Sequence, residues 1–145
     1  QAVLCNLARR EASYNMVCYV KNYESYENIV PSWARDYLEG VAAAREKKYH
    51  YDLADWEQAR THDAGWNAVQ NELLTRGRNC GLNRRYWCTR IIEYEPTPKS
   101  AFDLARKLND KYMLDAGNAV GFSAVAECFG RFQDPNRSGN LLNAL

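Results

Sequence analysis

Apolar residues recur along this chain at the three-and-four spacing of helices and do not alternate as strands would. Val3, Leu4 and Leu7 share one helical face near the start. Beyond them the pattern repeats, with Tyr14, His50, Tyr86 and Phe122 standing 36 residues apart and each opening a stretch of helical apolar spacing. Three positions on come Val17, Leu53, Thr89 and Val125. Farther along, Trp33, Val69, Ala105 and Leu141 recur at the same interval, with Val30, Trp66 and Phe102 three places before the first three.

Helix punctuation follows the same interval. Ser25, Thr61 and Thr97 can each cap a following helix with a hydroxyl, and Pro98 sits where proline is favoured, at the first helical position. Gly77 and Gly117 suit the residue just past a helix end. The spacing predicts first helices over 12–23, 48–60, 84–94 and 120–132, and second helices over 26–45, 62–77, 98–114 and 135–145, with Pro31 in or near a first turn. The expected fold is therefore all-α. It is a right-handed stack of helical hairpins in one domain, 1–145, made of an N-terminal cap helix 1–11 and repeats 12–47, 48–83, 84–119 and an incomplete 120–145. Stacks of this kind bury a continuous core between neighbouring units and present a long concave face.

Tyr14-Asn15-Met16-Val17, Phe122-Ser123-Ala124-Val125 and Ala101-Phe102-Asp103-Leu104-Ala105 carry a likeness to a known unit. On these motifs the chain resembles the pentatricopeptide repeat, a helical hairpin of organellar proteins. The resemblance implies RNA readout by paired positions, here Met16 with Glu46, Asp52 with Leu82 and Cys88 with Asn118, none of which forms the hydrogen-bonding set that base recognition needs. What it implies instead is a non-catalytic accessory subunit docking within a large mitochondrial complex, with ATP synthase foremost. An organellar RNA-binding protein is the alternative, and a secreted, disulfide-stabilised inhibitor or carrier is a further one.

Charge sharpens this picture. Lys and Arg number 19 against 18 Asp and Glu, a net +1 that gives little counterion-release affinity for a polyanion. With 12% aromatic residues a disordered chain is excluded, and no apolar run reaches the length of a membrane span. One stretch departs from neutrality: Arg76, Arg78, Arg84, Arg85 and Arg90, with no acid between Glu72 and Glu93 and with Tyr86 and Trp87 interleaved. Arg, Tyr and Trp are the residues of interface hot spots, so the partner-binding candidates are Tyr49, Asp52, Arg78, Arg84, Arg85 and Trp87. An RNA or anion patch and a solvated face remain the other readings of the same run.

No constellation suits catalysis. His50 and His62, the two histidines, are 12 residues apart and cannot share a metal on one helix. No phosphate-binding loop motif occurs. The expectation is no catalytic residue, no metal, no cofactor, no small-molecule substrate and only protein subunits as partners. Cys5, Cys18, Cys80, Cys88 and Cys128 follow no metal or disulfide spacing; most are expected to be packed thiols, with Cys80 to Cys88 the first candidate bridge of a secreted chain. Asn136-Arg137-Ser138 matches a glycosylation acceptor, which matters only for that secreted reading. The chain starts at Gln1, which is expected of a matrix protein whose transit segment has been removed.

Overall fold

A computed structural model describes residues 2–46 and 48–134. Among them eight helices and no strand occur, so the all-α expectation holds: α1 (Ala2–Tyr19), α2 (Tyr26–Ile29), α3 (Ser32–Ala44), α4 (Leu53–Glu57), α5 (Ala64–Arg76), α6 (Gly81–Tyr94), α7 (Pro98–Tyr112) and α8 (Ala119–Cys128). The helix expected over 135–145, with Leu141 and the Asn136 triplet, lies outside the described residues.

Several boundaries follow local chemistry. Thr97 caps α7 as expected, in a box with Ser100, and Pro98 occupies the first turn. Gly77 ends α5 with φ +66°, a left-handed conformation that glycine adopts without steric cost, and its N–H donates to the Leu73 carbonyl. Pro31 splits the expected 26–45 helix: Val30 before it is held extended, so α2 stops and α3 restarts. Residues 48–52 are not helical, which shrinks the expected 48–60 helix to five residues beginning after a capping box of Asp52 with Asp55. Thr61 does not cap α5. Asp63 does, by accepting from the Trp66 N–H, while Thr61 braces the preceding turn through Asn67.

The helices do not assemble as a row of hairpins. α6 is central and packs on α5, α7 and α8, while α1 lies against α8, the last helix among the described residues. In a one-dimensional stack each unit meets only its sequence neighbours, so this closure departs from the expected solenoid. α1 also runs unbroken through the boundary drawn between a cap at 1–11 and a repeat at 12, since no glycine or proline interrupts it. Of its 18 residues only Ser13 and Met16 are buried. The Ser13 and Ser123 hydroxyls hydrogen-bond at 2.7 Å, and these small side chains let the two helices approach closely.

The core joins Met16 to Phe129. Its most regular stripe is on α7, where Pro98, Ala101, Phe102, Ala105, Leu108 and Asn109 recur at helical spacing and are all buried. Trp56, Trp66 and Trp87 fill the other end, Trp66 meeting Trp56 edge-on at 4.9 Å between centroids and lying parallel to Trp87 at 6.2 Å. Gly121 on α8 marks a close crossing: a Cβ there would stand 2.7 Å from the Asp115 carbonyl oxygen and 3.0 Å from Asn109 Nδ2. Gly121→Ala is therefore expected to destabilise the fold by about 1–3 kcal/mol, the cost of overpacking against backbone, read as a lowered urea midpoint at unchanged slope.

Candidate functional site

Two polar assemblies stand out against this core. The first surrounds Asp63 at the start of α5. Its carboxylate accepts from the Trp66 N–H at 3.0 Å, the Tyr86 hydroxyl at 3.0 and 3.1 Å and the Tyr94 hydroxyl at 3.0 Å, and pairs with Arg90 Nε at 3.5 Å. Gly65 makes room for this, because a Cβ there would lie 2.8 Å from the Tyr86 oxygen. Burial works to raise the Asp63 carboxyl, and the hydrogen bonds from Trp66, Tyr86 and Tyr94 outweigh it, leaving the group below its ordinary value. Burial and the adjacent carboxylate push the Tyr94 hydroxyl well up, so it stays protonated and donating. Outside this hub, His62 stacks on Tyr49 at 3.7 Å and hydrogen-bonds the Tyr51 hydroxyl. The Asp63 carboxylate and both tyrosine hydroxyls are engaged within the protein, which marks the hub as a brace that holds α5 to α6.

The second assembly is open. A cavity of about 680 Å³ lies between α1, the amino end of α6 and α8, walled by Arg9, Asn79, Cys80, Arg84, Arg85 and Glu127 among others. Next to it a groove of about 620 Å³ between α1 and α8 shares Arg9, Ala124 and Glu127. Arg84 is fixed at the cavity wall by a bidentate bond to Asp115, both contacts at 2.9 Å, which ties the first turn of α6 to the turn between α7 and α8. Arg9 and Arg85 make no ion pair among the described residues. Asn79 has both amide atoms buried without a hydrogen-bond partner, and Asn109, 1% exposed, has a buried side-chain oxygen in the same state. A buried amide left open costs free energy unless a ligand or water meets it. With the partial positive charge of the α6 N-terminus, the wall favours an anionic group. Removing the guanidinium in Arg84→Met leaves Asp115 half-buried and unpaired; the expected loss is about 1.5–3 kcal/mol, measured by denaturant unfolding.

The six partner-binding candidates do not form one surface. Arg84 and Arg85 line the cavity, whereas Arg78 is exposed in the turn after α5. Asp52 is spent on capping α4, and Tyr49 stacks against His62. Trp87 is fully buried, its indole N–H donating to Gln70 Oε1 at 2.8 Å, so it cannot meet a partner. The basic run is also neutralised from within: Arg76 pairs with Glu72, Arg84 with Asp115, and Arg90 with Asp63 and Glu93. Asp63, Asn79, Asn109 and Asp115 escaped sequence reasoning because their roles depend on contacts across the fold; only the turn position of Asp63 before Ala64 hinted at a cap. All five cysteines are free, Cys80 and Cys88 included, and Cys5, Cys18 and Cys80 are exposed where packed thiols were expected. Among the described residues no group of three or more His, Cys, Asp or Glu could hold a metal, and no helix is long and apolar enough to cross a membrane.

Comparison with known proteins redirects the reading. No family model matches the chain. It is 42% identical over 126 residues to the deoxyribodipyrimidine photo-lyase of Methanothermobacter thermautotrophicus, covering 86% of this chain and 28% of that protein. It is 37% identical over 117 residues to the enzyme of the same name from Oryza sativa subsp. japonica and 35% over 117 residues to that of Potorous tridactylus, covering 80% of this chain and 22% and 21% of those proteins. The chain spans about a quarter of the length of these relatives. Likeness of this extent overturns the pentatricopeptide resemblance, the accessory subunit of mitochondrial ATP synthase and the RNA-binding alternative. The relatives are lyases named for a deoxyribodipyrimidine, so the expectations of a non-enzyme and of protein subunits as sole partners are corrected as well. The repeat misled because any amphipathic helix of this length offers an apolar residue near each sampled position.

Proposed function

We propose that this chain is the helical part of a photolyase-type protein that acts on pyrimidine dimers in DNA under light. The observation that supports it most strongly is the 42% identity extending over 126 of its residues. In this reading residues 1–145 are one helical domain, and the cavity at the amino end of α6 belongs to the working site.

Light-driven cleavage needs an absorber that protein side chains do not supply at visible wavelengths, and a bound light-absorbing cofactor brings that chemistry when present. The residues here fit such a group. Arg84, held by Asp115, offers a fixed cation, and Asn79 at the cavity wall offers a buried amide without a hydrogen-bond partner. Their part is to bind and orient.

Arg85 and Arg9, at the cavity and in no ion pair among the described residues, suit DNA phosphates. The net charge of +1 is no obstacle to this, since affinity for phosphate depends on where cations gather. The complete gene product is expected to bind ultraviolet-irradiated duplex more tightly than unirradiated duplex, with affinity falling as salt rises. Arg85→Ala is expected to weaken both and to flatten the slope of log K against log[salt] by about 0.9, one phosphate contact. Fluorescence anisotropy across a salt series tests this. Equal affinity for the two DNAs would remove the damage-specific reading.

A further inference from the structure

α1 carries a second apolar face that nothing among the described residues covers. Its inner side, with Ser13 and Met16, packs on α8, the helix it meets most extensively. At about 100° per residue, Val3, Leu7, Tyr14 and Cys18 fall within about 60° of arc on the far side of the helix, with Leu4 beside Val3. All five are exposed, Val3 at 71% and Leu7 at 56%. Charges border the stripe, Arg10 along one edge and Glu11 along the other, and neither makes an ion pair among the described residues. An apolar seam flanked by opposite charges is the pattern with which one helix receives another. Left in water, such a row is an uncovered apolar patch.

From this we infer that the outer stripe of α1 is an interface inside the complete protein, covered by a helix from the part of the same polypeptide that lies outside residues 1–145. The inference rests on reading this chain as part of a photolyase-type protein: the matched residues make up 28% of the Methanothermobacter relative, so most of such a protein lies elsewhere in its sequence. Size decides against a separate partner. From Val3 to Cys18 the stripe is about 23 Å long and one helix wide, short of the about 800 Å² per partner that a stable complex between separate chains buries. A segment tethered in the same polypeptide is present at high effective concentration, so a seam this small suffices to hold it. The covering helix presents apolar side chains to Leu7 and Tyr14, a carboxylate to Arg10 and a cation to Glu11. Its docking fixes α1, and with α1 the Arg9 that lines the cavity.

The test uses the complete gene product with a benzoylphenylalanine photocrosslinker in place of Leu7, irradiated in dilute solution and mapped by peptide mass spectrometry. The expected product joins the peptide carrying position 7 to a peptide from outside residues 1–145 and migrates as a monomer. The unsubstituted protein gives an independent reading. Native Cys18 should be alkylated by N-ethylmaleimide about tenfold more slowly than in urea, the factor given by an opening cost of about 1.4 kcal/mol. Adducts to a second copy, to another protein or to residues within 1–145 would overturn the inference, and so would a native Cys18 as reactive as in urea. An intramolecular adduct in a protein that shows no light-dependent repair would remove the photolyase reading and leave the interface standing.

Discussion

Asp63→Ala is expected to cost about 3–5 kcal/mol, a large fraction of the 5–15 kcal/mol that a domain of this size commands. The carboxylate accepts from three donors and pairs with a fourth group, the Arg90 guanidinium. Losing the cap of α5 accounts for about 1 kcal/mol. The rest comes from what is stranded: two tyrosine hydroxyls without their acceptor, and an Arg90 guanidinium left with Glu93 alone. The Asp63 side chain is 15% exposed, so water compensates little of this. Asp63→Asn keeps a capping oxygen yet cannot accept from all four donors without turning an amide N–H toward one of them, and its expected cost is intermediate. The pH dependence has a fixed sign. Because the folded carboxyl lies below its ordinary value of about 3.9, its contribution is complete above that pH and is lost as pH falls toward the folded value. Urea midpoints measured between neutral pH and pH 3 should fall more steeply for the parent chain than for Asp63→Asn.

Trp66→Ala is expected to be of similar size, about 3–5 kcal/mol, by a different route. The side chain is fully buried between Trp56 and Trp87, and its indole N–H donates to the Trp87 carbonyl at 3.0 Å. Removing it opens a cavity among rigid rings that cannot collapse to fill it. Trp66→Phe keeps a ring and loses the hydrogen bond, for an expected 1–2 kcal/mol by about the scale of one buried bond and a partial void. Denaturant titration followed by far-ultraviolet circular dichroism separates the two, with the slope unchanged if each unfolds in one step. A Trp66→Ala chain as stable as the parent would show that the aromatic wall does not carry the core.

Local chemistry was legible in the residues: helices throughout, Thr97 with Pro98 opening α7, and Gly77 closing α5. Long-range placement was not. The four residues at interval 36 have four different fates: Tyr14 is 44% exposed, His50 is outside any helix, Tyr86 bonds Asp63, and Phe122 is buried edge-on against Tyr23 at 5.1 Å. A shared helical period placed them at equal spacing without giving them equal surroundings. The basic run misled for a related reason. Two of its acids lie far along the chain, Asp63 27 residues before its partner Arg90 and Asp115 31 residues after its partner Arg84, out of sight of any local charge count. Trp87 looked like a hot-spot residue because residue type does not reveal burial.

The most direct test of the account is light-dependent repair. The complete gene product, incubated with ultraviolet-irradiated DNA, is expected to deplete pyrimidine dimers under visible light and to leave them unchanged in the dark, with Arg84→Ala impaired in the lit reaction. Equal dimer content in lit and dark samples, from protein that is folded and binds the DNA, would contradict it.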